Sequence, residues 1–157
     1  MSLMIGISIS AIAGSCLEGN CYTGNGTFRF DSGGKYNGSF RNGKMHGYGS
    51  FVSKQGNRYV GNWYYGRRQG KGKMLFSNGD IYQGDFKQDR LEGYGKINYR
   101  NRDHYTGDWK NNKAHGNGKY VFQDGDKYIG SFVAGKFHGK GIMKYTDGSN
   151  YNGYWAG

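Results

Sequence analysis

The chain has 157 residues, enough for one ordinary domain, but only 35% of them are hydrophobic while 17% are aromatic, with 15 Tyr, 9 Phe and 3 Trp. Apolar content held in large amphipathic rings argues against an aliphatic globular core, and 31 Gly without a single Pro mean either a disordered chain or a periodic β-fold. The 22 Lys and Arg against 11 Asp and Glu give a net charge of +11, which leaves lipid headgroups, nucleic acid and acidic proteins open as partners without choosing among them.

The first 15 residues form an apolar N-terminal segment. Ile5, Ile7 and Ile9 alternate with Gly6, Ser8 and Ser10, the pattern of a strand or cap with one apolar face. The same stretch ends in Ala11-Ile12-Ala13, like a signal-peptidase site, and Ala13-Gly14-Ser15-Cys16 is a loose lipoprotein-like box, although no Lys or Arg precedes it. It is too short to cross a bilayer as a helix. A leader would make the protein exported or membrane-peripheral; a strand would leave it cytoplasmic. Cys16 and Cys21, spaced C-x4-C, match neither a zinc knuckle nor a CxxC redox pair. They form one small-loop disulfide or stand as two partly buried thiols.

From residue 16 onward one period organises the chain. Tyr36, Tyr59, Tyr82, Tyr105, Tyr128 and Tyr151 are spaced 23 residues apart, dividing it into a half repeat (16–35), full repeats 36–58, 59–81, 82–104, 105–127 and 128–150, and a partial repeat 151–157. Each Tyr begins Tyr-x-Gly-x-aromatic, the second ring being Phe40, Trp63, Phe86, Trp109, Phe132 or Trp155. Period 2 is strand period, so both rings and the Gly share one face. After a short turn come paired glycines (Gly47/Gly49, Gly70/Gly72 and their equivalents) and then bulky residues such as Met74 and Phe76, which make a second strand. A closing turn carries Gly56, Gly79, Gly125 or Gly148, where backbone φ above zero is wanted. The expected architecture is all-β: an elongated, single-layer, twisted antiparallel sheet of tandem 23-residue hairpins. Glycine within strands lacks packing and costs backbone entropy, so the rings of one strand are expected to lie over the Gly-x-Gly of its neighbours.

The segments Tyr105-Thr-Gly107-Asp-Trp109-Lys-Asn-Asn-Lys113-Ala-His115-Gly116-Asn-Gly118 and Tyr128-Ile-Gly130-Ser-Phe132-Val-Ala-Gly135-Lys136-Phe-His138-Gly139-Lys-Gly141 resemble the MORN (membrane occupation and recognition nexus) repeat. The resemblance implies a module that lines up partner proteins or membranes. The sequence departs from the motif at Asp89 and Asn112 for turn Gly, Arg102 for a closing-turn Gly, and Gln69 and Glu92 for His, which touches local turns only.

His46, His115 and His138 share one motif position, but neighbouring repeats are about 9.5 Å apart, too far for two to hold one zinc ion. No nucleophile elbow, Walker loop or HExxH helix is present. The chain is therefore read as non-catalytic, with no cofactor and no metal. Two features could carry function. Lys44, Arg67, Arg90, Lys113 and Lys136 each fall eight residues after their Tyr, forming a row of turn cations suited to acidic phospholipid or merely solvated. The ring stripe itself, Tyr36, Phe40, Tyr59, Trp63, Tyr82, Phe86, Tyr105, Trp109, Tyr128, Phe132, Tyr151 and Trp155, is either covered by a protein partner or a second copy, or closed by sheet curvature. Nucleic acid is the weaker fit, because the rings are committed to glycine packing instead of base stacking.

Overall fold

The computed structural model describes residues 13–157; the alternating segment before them, read as a strand or a leader, lies outside the described residues. Thirteen strands follow one another: β1 Gly14–Gly19, β2 Gly24–Phe30, β3 Lys35–Arg41, β4 Lys44–Val52, β5 Arg58–Tyr64, β6 Arg67–Leu75, β7 Ile81–Lys87, β8 Arg90–Asn98, β9 His104–Lys110, β10 Lys113–Val121, β11 Lys127–Val133, β12 Lys136–Lys144 and β13 Asn150–Ala156. All thirteen make one open antiparallel sheet in which spatial order equals sequence order. No helix occurs among the described residues.

The turns explain why the hairpins close where they do. Each tight turn has two central residues at positive φ: Asn42-Gly43, Tyr65-Gly66, Gln88-Asp89, Asn111-Asn112 and Ala134-Gly135. That is the type I′ geometry whose twist matches antiparallel strands. Asp89 (φ 70°) and Asn112 (φ 65°) adopt the conformation of the Gly they replace, and Arg102 (φ 73°) does the same in a closing turn. The departures from the motif thus leave the turn type unchanged.

Within each hairpin the register slips, as at Gly38/Phe40, Gly61/Trp63 and Gly84/Phe86. In the first of these, Gly38 faces Gly49 and Phe40 faces Met45, so Ser39 stands opposite the three residues His46–Tyr48. This is a β-bulge, and Gly47 within it sits at φ 67°. The two glycines of each Gly-x-Gly consequently do different work. The first bends the backbone into the bulge; the second leaves space, since a Cβ at Gly72 would fall 2.5–2.6 Å from ring carbons of Tyr59. The expectation that both glycines seat a ring is corrected accordingly.

The core runs through the ring face. Tyr36, Tyr59, Tyr82, Tyr105 and Tyr128 are fully buried and pack with the Phe or Trp of the motif, Met74, Leu91, Ile97 and Met143. Each such side chain is worth roughly 2–3 kcal/mol when removed from water.

At its start the array departs from the repeat. Cys16 at β1 and Cys21 in the β1–β2 turn are joined as a disulfide, with Cα atoms 5.9 Å apart. β1 pairs with β2 through a slip between Cys16 and Glu18.

Candidate functional site

The ring stripe is a ladder of edge-to-face contacts. Tyr36 meets Phe40 of its own strand at 5.1 Å and Trp63 of the next repeat at 5.4 Å. Tyr59 likewise meets Trp63 and Phe86, Tyr82 meets Phe86 and Trp109, and Tyr105 meets Trp109 and Phe132. Every phenol also has an acceptor: the hydroxyls of Tyr36, Tyr59, Tyr82, Tyr105 and Tyr128 donate to the carbonyls of Ser39, Asn62, Asp85, Asp108 and Ser131 at 2.7–3.0 Å. Ser39, Asn62, Asp85 and Asp108 are the residues that the bulge leaves without a partner across their own hairpin. Indole nitrogens of Trp63 and Trp109 donate to Gly49 and Gly95 carbonyls at 3.2 and 3.1 Å. Burial holds the phenols neutral, pushing Tyr36 up to about 12 and raising Tyr59, Tyr82 and Tyr105 as well.

Of the two readings of the stripe, a surface left for a partner or rings closed over by the sheet itself, this geometry favours the second. Tyr36, Phe40, Tyr59, Trp63, Tyr82, Phe86, Tyr105, Trp109, Tyr128 and Phe132 are at most 6% exposed in the isolated chain, because neighbouring rings cover one another. Only Tyr151, 48% exposed, and Trp155 at the last strand remain reachable.

The five cations open the second strand of each hairpin, at the same margin of the sheet, and all five are exposed. Three face another cation across the turn: Lys44 opposite Arg41, Arg90 opposite Lys87, Lys113 opposite Lys110. Arg90 also donates to Asn111 Oδ1 at 2.8 Å. Arg68, one residue further on than the row, is held differently. It takes the position that Met45, Leu91, Ala114 and Phe137 occupy in other repeats, pairs with Asp89 at 3.1 Å and lies over the rings of Tyr59 and Phe86.

The motif histidine position accepts a hydrogen bond from the next turn. Gln69 Oε1 accepts from Gln88 N at 3.1 Å, Glu92 Oε2 from Asn111 N at 3.0 Å, and His46 Nδ1 from Tyr65 N at a long 3.5 Å. Any side chain with an acceptor at that reach serves, which is why the residue type varies. At the opposite margin Asp80, Asp103 and Asp126 accept from the backbone N–H of Arg100, Gln123 and Thr146 at 2.8–2.9 Å, stitching successive closing turns together. Among the described residues no group of three His, Cys, Asp or Glu is placed to hold a metal ion.

Sequence reasoning passed over the face opposite the rings. Lys73, Lys96 and Lys119 are exposed there at the same 23-residue interval, and Tyr48 and Tyr94 stand out from it. The spacing was the available signal, visible once the rings had been assigned to the other face.

A sheet in which each hairpin repeats the contacts of the one before defines a tandem-repeat β-protein. The MORN repeat model matches residues 36–58, 59–81, 82–104, 105–127 and 128–150, and the chain belongs to the MORN repeat family, a non-catalytic type of repeat. No curated protein sequence matches it. Similar solved structures include the SAS-4 (dCPAP) TCP domain of Drosophila melanogaster in complex with a proline-rich motif of Ana2 (dSTIL), at 10% identity, 99% of this chain, 94% of that chain and a TM-score of 0.39. The wild-type TCP10 domain of Danio rerio CPAP in complex with a peptide of Danio rerio STIL is similar at 10% identity, covering 83% and 68% of the two chains, with a TM-score of 0.32.

Proposed function

We propose that the chain is a non-catalytic scaffold that holds a protein partner along its repeat array. The observation behind this reading is the exposure of Tyr48, Tyr94 and Tyr154, with Val60 and Ile129, on the side of the sheet away from the ring ladder. Exposed tyrosines add large contact area at small cost in side-chain freedom, and they recur at protein interfaces. A rigid sheet also presents them without reorganisation, which keeps the entropy cost of association low. Light scattering and pull-down together test it: a stable complex with a partner or a second copy is expected, and a monodisperse monomer that retains nothing refutes it.

A second reading, peripheral binding to acidic phospholipid, draws on the doubled cations at the hairpin turns. Each Lys or Arg near an anionic surface contributes about 1 kcal/mol. Sedimentation with acidic vesicles across a salt series, beside a variant with Lys44, Arg67, Arg90, Lys113 and Lys136 changed to Glu, decides it. Native protein that stays in the supernatant at low salt refutes the lipid reading.

A further inference from the structure

One line of glycines crosses the sheet. Gly49 pairs with Gly61, Gly61 with Gly72, Gly72 with Gly84, Gly84 with Gly95, and the series continues through Gly107 and Gly118 to Gly130. On the ring side that line is filled by the buried tyrosines. On the other side it is the floor of a trough, because the residues flanking each glycine stand up as two banks. One hollow of about 850 Å³ runs from Tyr48 and Val60 past Lys73 to Tyr94 and Lys96. A second, of about 630 Å³, starts at the same Tyr94 and runs past Lys119 to Ile129. The two share Tyr94 and together extend from β4 to β11, a length of about 34 Å at ~4.8 Å per strand.

The banks differ in chemistry. One carries Lys73, Lys96 and Lys119, one per repeat and about 9.5 Å apart. The other carries Tyr48 and Tyr94, 64% and 56% exposed, each directly after the glycine of a bulge, which re-aims the following side chain. The acidic groups on that bank are already committed. Asp85 pairs with Lys71 at 2.8 Å and accepts from Tyr94 N at 3.1 Å, while Asp108 accepts from Asn117 N at 2.9 Å. Lys71 offsets Asp85, and Lys73, Lys96 and Lys119 outnumber Asp108, so the net charge facing the trough is positive.

We propose that this trough binds an extended acidic segment of a partner protein, laid across the strands with its carboxylates toward Lys73, Lys96 and Lys119 and its apolar or aromatic side chains toward Tyr48 and Tyr94. The proposal deepens the scaffold reading and rests on it. At ~3.3 Å per residue an extended chain fills the trough with about ten residues. The glycine peptide groups are paired within the sheet, so recognition falls to the side chains of the banks. A recessed floor suits a chain, whereas a bilayer would touch only the crests. Single-stranded nucleic acid gains most where successive bases each find an aromatic surface, and here two tyrosines stand two repeats apart.

The test uses the full chain and a labelled peptide of about twelve residues alternating Glu with Tyr, with the Lys-Tyr counterpart as control. The acidic peptide should bind, and more weakly as salt rises. The variant Lys73→Glu, Lys96→Glu, Lys119→Glu should weaken binding about tenfold, as the loss of three exposed ion pairs implies. Tyr48→Ser with Tyr94→Ser should weaken it comparably, while reversal of the five turn cations should leave it within about threefold. Thermal melts establish that the variants fold, and Lys→Gln at the three trough lysines replaces any that do not. Failure of the native chain to bind the acidic peptide, or equal binding of the Lys-Tyr control, overturns the proposal. So does retention of oligothymidylate or phosphatidylserine vesicles, without the peptide, through the same lysines. A purified partner that binds the native chain and the trough variants alike overturns the trough and leaves the scaffold standing; absence of any partner removes both.

Discussion

The ring of Tyr59 occupies the volume that a side chain at Gly72 would need: a Cβ there would meet the phenol oxygen and ring carbons of Tyr59 at once. Gly72→Ala should therefore push a fully buried ring off its neighbours, at a cost of about 3 kcal/mol by overpacking. Gly56 is the control. It has φ +88° and nothing within 4 Å of its absent Cβ, so Gly56→Ala should cost only the left-handed backbone penalty of about 1–2 kcal/mol. Paired thermal or urea melts separate the two roles; equal losses would show that the rings do not need the space.

The buried phenols predict alkaline unfolding. Tyr36 has its pKa pushed up to about 12 by burial, and Tyr59, Tyr82 and Tyr105 are raised for the same first reason. The unfolded chain loses these protons near pH 10, so the folded state holds more protons above that point and its stability falls as pH rises. Each phenol removes about 1.4 kcal/mol per pH unit. Stability should be flat through the neutral range and collapse between pH 10 and 12, with tyrosinate absorbance of the buried group emerging together with loss of the far-ultraviolet sheet signal. Ionisation without loss of the sheet would contradict the packing.

Asp103 gives the opposite sign. Burial disfavours its charge, yet hydrogen bonds from Tyr120 Oη at 2.6 Å, Asn101 Nδ2 at 2.8 Å and Gln123 N at 2.8 Å outweigh it, and its pKa is held below the usual carboxylate value. Its contribution is present above pH ~4 and disappears as pH falls through the folded pKa. Asp103→Ala should cost about 1–3 kcal/mol at neutral pH and less in acid. A mutant whose deficit is unchanged at pH 3 would show that the carboxylate charge is irrelevant.

Ala134 occupies the first central position of a type I′ turn at φ 52°, where two of the other four turns carry Asn42 and Asn111. Ala134→Asn should raise stability by about 0.5–1 kcal/mol, because Asn tolerates the left-handed region better. Differential scanning calorimetry reads this as a higher melting temperature.

Much of the fold was legible because the repeat states it six times. The tyrosine register, the strand pairing and the face of the rings all follow from spacing. The bulges were not legible: Gly47 and Gly49 look alike in sequence, and only the slip opposite Ser39 makes one a bend and the other a gap. Nor was the closure of the ring ladder, since alternation assigns Tyr59 to a face without saying that Trp63 and Phe86 shield both of its sides. Arg68 reads as one more surface cation, but Asp89 of the next repeat draws its guanidinium onto the rings of Tyr59 in its own repeat and Phe86 in the next. A partner 21 residues away, supplied by a turn residue that departs from the motif, leaves no periodic trace.

Because each described strand pairs only with its neighbours in sequence, no closing contact among the described residues fixes how many hairpins the sheet must have. Excising residues 82–104 should rejoin β6 to β9 in register and shorten the molecule by about 9.5 Å. Copy number then acts as a ruler: evolution could change the distance between two attachment points in fixed increments, by duplicating or losing one unit, without redesigning any interface.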